Sequence, residues 1–97
     1  MPKAYLISAY REINNQDALA AYAKLAGPAL MAAGGKFIAR GMPSAVKESG
    51  NMQRTVLIEF ENVQAAMQAY ESNAYQLAMK ELVGNAVVRD IRIIEGI

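Results

Sequence analysis

The 97-residue chain contains no cysteine and no histidine. Without cysteine it forms no disulfide, has no thiolate nucleophile and offers no sulfur ligand to zinc or to an iron–sulfur cluster. Without histidine it lacks the usual proton carrier at neutral pH, so this chain alone builds no Ser-His-Asp or Cys-His hydrolase. The two aspartates, Asp17 and Asp90, are far apart and fit no calcium-loop spacing. We therefore expect no metal site and no cofactor.

The chain also has no large excess of positive or negative charge and no long apolar segment. Ten basic and nine acidic residues give a net charge of +1, which provides no concentrated basic surface for nucleic acid. No segment approaches the ~20 apolar residues of a membrane span, and the apolar stretch near the N-terminus is too short for a signal peptide. We expect a cytoplasmic protein that binds neither nucleic acid nor membrane. The 54% hydrophobic composition supports a single folded domain over residues 1–97.

The hydrophobic periodicity predicts four strands and two helical regions. Strands are expected at 4–11, 36–41, 55–60 and 87–95, and helices after Asn15, after Asn62 and over 74–82, where Ser72-Asn73 supplies the cap. Pro28 lies inside the first helical pattern, and we expect a kink or a split there. The order β-α-β-β-α-β predicts an α+β, ferredoxin-like domain, with a four-stranded antiparallel sheet and both helical regions on one face.

One face of this sheet would lack a cover, and it is not polar. The strand at 55–60 places apolar residues on both faces, since Leu57 points away from its apolar neighbours. Covering such a face with a second copy of the chain, sheet against sheet, predicts a homodimer. The alternative is that Leu57, Leu6 and Tyr10 are ordinary exposed apolar residues.

Four segments together resemble domain-of-unknown-function family 1330, a member of the dimeric α+β barrel group. They are AGGKFIARG, RTVLIEFEN, AMQAYESNAYQ and the closing IIEG. The resemblance extends over Ala4 to Gly96, and the positions that match the family's recurring pattern are Gly34, Gly35, Arg40, Arg54, Glu59, Tyr70, Ser72 and Tyr75. It implies a ferredoxin-like protomer and a dimer, while the family's activity is not established. The wider group includes cofactor-independent monooxygenases and isomerases, which is an analogy of fold.

The chain departs from the family pattern at two places. Asn73-Ala74 stand where the family usually has Pro-Glu before the second tyrosine. Val83 follows Leu82 where an arginine is common. If that arginine helps to bind an anion in relatives, this chain has lost the contact.

Glu59 is the first candidate for chemistry, because alternation places a carboxylate on the uncovered face beside Leu57. Arg40 is expected to share that face on the neighbouring strand. One interpretation is a buried Arg40–Glu59 ion pair that fixes the dimer register. The other makes Glu59 a proton acceptor or a ligand anchor in a pocket between sheet and helices, with Arg40 or Arg54 holding an anionic group.

Two tyrosines flank the break between the later helical segments. Tyr70 and Tyr75 either pack in the core or donate a phenol hydrogen bond to a ligand. With Glu59, Tyr75 is a candidate catalytic residue, and Tyr70, Ser72, Arg40 and Arg54 are candidate ligand-binding residues.

Three functions remain open. The first is a homodimer that binds a small, partly apolar molecule between sheet and helices or at the dimer barrel. The second is a cofactor-independent enzyme for proton transfer or a monooxygenase-like reaction, with Glu59 as base. The third is a purely structural dimer.

Overall fold

The computed structural model describes residues 2–97. The elements in chain order are β1 (Ala4–Ile13), α1 (Gln16–Ala32), β2 (Lys36–Gly41), β3 (Thr55–Phe60), α2 (Val63–Glu71), α3 (Asn73–Met79) and β4 (Val87–Glu95). The predicted β-α-β-β-α-β order is confirmed, with the second helical region divided into α2 and α3. No helix within residues 2–97 has the length and apolar character needed to cross a bilayer. The cytoplasmic location stays a prediction.

The four strands form one sheet in the order β2-β3-β1-β4, and every neighbouring pair is antiparallel. Each helical crossover therefore passes over one intervening strand, as in the ferredoxin-like arrangement predicted. Side chains from the helices and from one sheet face form a single core cluster. The predicted α+β fold is confirmed, and no helix or strand of residues 2–97 packs across the opposite sheet face.

Side-chain caps explain where the three helices begin. The Oδ1 of Asn15 accepts from the N–H of Ala18 at 3.0 Å, and Asn62 caps α2 in the same way. The Oγ of Ser72 accepts from the N–H of Tyr75 at 3.2 Å, which begins α3. These contacts satisfy N–H groups that have no partner inside a helix. The caps at Asn15 and Ser72 confirm predictions, and for α2 the predicted start after Asn62 is confirmed.

The predicted split of the first helix at Pro28 is wrong. Helix α1 continues from Gln16 through Pro28 to Ala32 as a single element. Pro28 and Lys24, the residue whose carbonyl loses its helical partner, are both exposed, so that carbonyl is on the side of the helix that faces solvent. On the other side of the helix, Ala29 and Leu30 are buried, and their packing holds the turn in place.

The residues that lie on each face of the sheet differ from those predicted. Leu6 and Tyr10 were considered as exposed apolar residues, but both are buried under the helices, at 3% and 4% exposure. The residues that share the uncovered face with Leu57 are Tyr5 and Ile7, and Ile7 lies directly opposite Leu57 in the register. All three are only partly shielded. The alternation predicted along β1 is confirmed, but the prediction assigned its residues to the wrong faces of the sheet.

An irregularity in β2 corrects the predicted pair between Arg40 and Glu59. The register shifts between Phe37 and Ala39, so that Arg40 lies opposite Val56. Val56 is buried under the helices, whereas Glu59 is on the uncovered face. A one-residue bulge sends every later side chain of a strand to the other face. The Arg40–Glu59 ion pair therefore does not form within the chain.

Candidate ligand-binding site

A cavity of about 50 Å³ lies between the sheet and α1. Apolar side chains from both layers form much of its wall; the buried ones are Leu6, Leu19, Ala26, Leu30, Val56 and Ile58. Such a wall, with a few polar groups set into it, is typical of small-molecule sites in proteins.

The polar groups at this cavity are hydroxyls and guanidinium groups. They belong to Ser8, Tyr10, Tyr22, Tyr75, Arg40, Arg54 and Arg89. The described part of the chain contributes no carboxylate to this lining. The cavity is therefore a positively charged, largely apolar site.

Arg89 is held by the aromatic residues at one end of the cavity. Its Nη1 donates to the hydroxyl of Tyr22 at 3.0 Å, and its Nη2 donates to the Sδ of Met79 at 3.1 Å. The guanidinium carbon lies 5.6 Å from the ring centroid of Tyr10 and 5.0 Å from that of Tyr22. Cation–π contacts and neutral acceptors thus fix this arginine without an acidic partner.

Tyr22 also meets Tyr75 across the helical layer. Their hydroxyl oxygens are 2.7 Å apart, and the rings meet edge to face with centroids 6.0 Å apart. Burial, followed by the neighbouring Tyr75, raises the pKa of the Tyr22 phenol above its ordinary value of 10.0. Burial likewise raises the pKa of Tyr10. These phenols are neutral at physiological pH, so they act as hydrogen-bonding groups and not as bases.

Two side-chain atoms near the cavity are buried without a hydrogen-bond partner in residues 2–97. They are the Oγ of Ser8 and the Nε of Arg54. Ser8 is only 5% exposed, and both residues line the cavity. Buried polar groups in folded proteins are nearly always satisfied by protein, water or ligand. Ser8 Oγ and Arg54 Nε are therefore positions where the cavity has hydrogen-bonding capacity that the protein does not use.

The structure brings some of the predicted site residues together. Tyr75, Arg54 and Arg40 all line the cavity, and the exposed Arg40 stacks on Phe37, its guanidinium carbon 4.9 Å from the ring centroid. Tyr70 does not line it but packs behind Tyr75, with ring centroids 5.2 Å apart.

Ser72 acts as a helix cap in this structure. Besides accepting from Tyr75, its hydroxyl donates to the carbonyl of Ala69 at 2.8 Å. Both hydrogen bonds are local, and they join the end of α2 to the start of α3. Ser72 therefore positions Tyr75, while its predicted contact with a ligand stays a prediction.

Glu59 is separated from this cavity by the sheet. It lies on the uncovered face, where its Oε2 accepts from the hydroxyl of Tyr5 at 3.2 Å. That hydrogen bond is the main cause of a raised pKa for the Tyr5 phenol. The two candidate catalytic residues, Glu59 and Tyr75, thus lie on opposite faces of the sheet and do not reach one bound molecule within the chain. A role for Glu59 as base stays a prediction.

A second, larger space of about 830 Å³ is an open groove on the uncovered face. It runs between the sheet and the segment 42–51 that connects β2 to β3. Asn51 fixes this segment through two bonds from its Nδ2 to the carbonyls of Tyr10 and Arg11, at 3.2 and 3.1 Å. Leu57 and Thr55 lie at its base, with Asp90 and Arg92 at its side. This groove is more open to water than the smaller cavity.

Ser8, Tyr22 and Arg89 line the cavity but are not among the site residues predicted from the sequence. The signal for Arg89 was present, since it has the same parity as Ile91 and Ile93 on β4. This alternation places the Arg89 side chain under the helices, where burial of a charged group is costly unless the group is paired or hydrogen-bonded. Within residues 2–97, no group of three or more acidic side chains is arranged to hold a metal ion.

Comparisons with known proteins agree with this fold. A family model described as a domain of unknown function, DUF1330, matches residues 3–97. The crystal structure of methylated RPA0582 is similar with a TM-score of 0.75 and 17% identity, over 99% of this chain and 82% of that one. RPA0582 is described as a protein of unknown function from Rhodopseudomonas palustris.

More distant structures share the architecture. A Nitrosomonas europaea protein, which its own description proposes to be an antibiotic biosynthesis monooxygenase, has a TM-score of 0.61 and 13% identity, over 98% of this chain and 89% of that one. A Bacillus halodurans protein described as belonging to the EthD family has a TM-score of 0.58 and 11% identity, over 98% of this chain and 99% of that one. At these identities the likeness concerns the fold alone. Comparison with curated protein sequences gave no match.

Proposed function

The chain belongs to the DUF1330 family of domains of unknown function, and we propose that it is a homodimer whose protomers each bind a small, partly apolar molecule between the sheet and α1. The observation that carries this proposal is the cavity with two buried, unpartnered polar atoms, on Ser8 and Arg54, in a mainly apolar wall. A wall of that kind gives a ligand apolar contact area, and the polar atoms fix its orientation.

The lining favours binding over proton transfer. Abstraction of a proton requires a base within about 3 Å of it, yet the described lining contains no carboxylate. The phenol of Tyr22 holds its proton because its pKa is raised, and arginine does not lose its charge in proteins. The enzyme alternative would place catalysis on the uncovered face near Glu59, away from the enclosed cavity.

The second part of the proposal is the dimer. Ile7, Leu57 and Ala39 form an apolar row across three strands, because Leu57 lies opposite both of the others in the register. Tyr5 extends this row on β1. A chain of 10.5 kDa gains stability if such a face is covered, and a second copy, sheet against sheet, has the matching shape and composition.

A variant that fills the cavity tests the binding function. Ala26 is 3% exposed and lines the cavity from α1, so Ala26→Leu places three additional carbon atoms there. We expect this variant to lose binding of small molecules in a ligand-observed NMR screen of neutral and charged compounds. Ala20→Leu, on the exposed side of the same helix, is the matched control and should keep it.

The proposal fails if no compound of the screen binds the wild-type protein, or if Ala26→Leu binds as the wild type does. Circular dichroism and a urea unfolding curve establish that the variant is folded, since overpacking costs about 1–3 kcal/mol.

A further inference from the structure

We propose that the ligand of this cavity is a short-chain monocarboxylate, with its carboxylate group bound by Arg54 and Ser8 and its apolar tail directed toward α1. This inference rests on the proposed function, and it adds the charge, the size and the orientation of the ligand.

The charge of the site is the first argument. Arg54 and Arg89 both line the cavity, and neither forms a salt bridge in the described part of the chain. The side-chain hydrogen bonds of Arg89 go to neutral groups, the Tyr22 hydroxyl and the Met79 sulfur. A charge that is partly removed from water without a counter-ion is costly. An anionic ligand would provide a counter-ion in this cavity.

The sheet places the two unpartnered atoms on neighbouring strands. Ser8 on β1 lies opposite Val56 on β3, and Arg54 precedes Val56 by two residues, so its side chain shares the same face. The N–H of Tyr10 donates to the carbonyl of Arg54 at 2.9 Å, which fixes the backbone of Arg54 beside β1. Ser8 and Arg54 are thus diagonal neighbours, a separation that a long arginine side chain spans.

A carboxylate matches this pair of donors. It has two oxygens in one plane, and an arginine binds such a group through two parallel N–H donors, of which Nε–H is one. The hydroxyl of Ser8 donates one further hydrogen bond and is otherwise without a partner. A single carboxylate would satisfy both buried atoms.

The size and wall of the cavity define the remainder of the ligand. One water-sized group requires at least about 10–15 Å³ of such a cavity, so about 50 Å³ takes a molecule of at most roughly three to five non-hydrogen atoms. The apolar wall formed by Leu19, Ala26 and Leu30 suits an alkyl tail. The same apolar wall would leave some oxygens of a phosphate or sulfate ion without hydrogen bonds. Acetate and propionate are the carboxylates of the right size.

The test compares propionate with propionamide, which has the same shape and no charge. Binding is followed by chemical shifts in the NMR spectrum of the full chain at constant ionic strength. We expect propionate to bind wild-type protein at least about tenfold more tightly than propionamide. Arg54→Met should weaken propionate by about tenfold to a hundredfold, as expected for the loss of a charged hydrogen bond.

Ser8→Ala should weaken propionate by a few-fold, and Arg54→Lys should restore only part of the affinity, because lysine keeps the charge without the paired donors. Arg11→Met is the matched control. Arg11 is an exposed arginine that pairs with Asp90 outside the cavity, and its loss should leave the affinity unchanged. An affinity that rises from acetate to propionate and falls at hexanoate would support the size limit.

The outcomes separate the two proposals. Equal binding of propionate and propionamide, or an unchanged affinity in the folded Arg54→Met variant, overturns the carboxylate inference and leaves the proposed binding function standing. Binding of phosphate with the same dependence on Arg54 would also overturn it, since no apolar tail is then required. Failure of every compound, charged or neutral, to bind the wild type overturns the binding function as well.

Discussion

The hydroxyl oxygens of Tyr22 and Tyr75 lie 2.7 Å apart, although the residues are 53 positions apart in the chain. This contact joins α1 to α3, and the bond from Arg89 to Tyr22 extends it to β4. Three elements that are distant in sequence thus meet at a buried group of polar atoms. The ligand cavity borders this group, so the stability of the fold and the geometry of the site depend on the same side chains.

Removing the Tyr75 hydroxyl should destabilise the protein more than removing that of Tyr70. Tyr75 is 2% exposed and Tyr75→Phe deletes its hydrogen bond with Tyr22, so we expect a loss of about 1 kcal/mol in the free energy of unfolding. For Tyr70→Phe we expect a loss of less than about 0.5 kcal/mol, because no hydrogen bond of its hydroxyl is found in residues 2–97. Urea unfolding measures both, and equal losses would contradict this interpretation.

The buried phenols predict a loss of stability at alkaline pH. The pKa of Tyr22 is raised above its ordinary value of 10.0, mainly by burial, so the folded state holds this proton more tightly than the unfolded state. Its contribution is complete below about pH 10 and is lost as the pH rises toward the folded-state value. Above pH 10, stability should fall by up to about 1.4 kcal/mol per pH unit for each such phenol.

Unfolding curves between pH 8 and 11.5 check this dependence. Tyr22→Phe should be less stable than the wild type at pH 8 and should lose less on going to pH 11.5. Parallel losses in the two proteins would show that Tyr22 does not carry the effect.

Ser72→Ala should destabilise α3 and release Tyr75 from its position. The Ser72 hydroxyl bonds the N–H of Tyr75 and the carbonyl of Ala69, and loss of such a cap costs about 1 kcal/mol. Asparagine caps helices as well as serine does, so Ser72→Asn should keep most of the stability. If Ser72→Ala retains wild-type stability but loses ligand affinity, the residue acts on the ligand and not as a cap.

Placing a charge on the uncovered face should dissociate the proposed dimer. Leu57 is the centre of the apolar row, opposite Ile7 and Ala39, and Leu57→Glu would bury carboxylates against the second copy. We expect sedimentation to give twice the 10.5 kDa chain mass for the wild type and the single mass for the variant. Leu77→Glu, at an exposed leucine on α3, should remain dimeric. A wild-type protein that sediments as a single chain would refute the dimer.

The fold was largely predictable because its signals are local. The caps at Asn15, Asn62 and Ser72 use side chains within three residues of their partners, and alternation along β3 marks its buried side. The end of α1 also has a local cause. Gly34, just beyond the helix, has a φ of +96°, a conformation that glycine adopts at no steric cost.

The predictions from sequence were wrong or incomplete at positions whose conformation depends on tertiary contacts. Whether Pro28 breaks a helix depends on which side of α1 faces water, and the sequence does not state this. The shift between Phe37 and Ala39 leaves no local signal, yet it moves Arg40 to the other face of the sheet. The cavity likewise combines Ser8 on β1 with Arg89 on β4. These two residues are distant in the sequence, and only the assembled sheet brings them to the same cavity.

The most direct test of the binding site is an isotope-filtered nuclear Overhauser measurement between propionate and the methyl groups of the protein. The proposed binding mode predicts contacts from the propionate methyl protons to Ala26 and Leu30, which line the cavity, and none to Ala39 or Leu57 in the open groove. Contacts to Ala39 and Leu57 alone, or no contacts at saturating propionate, would contradict it.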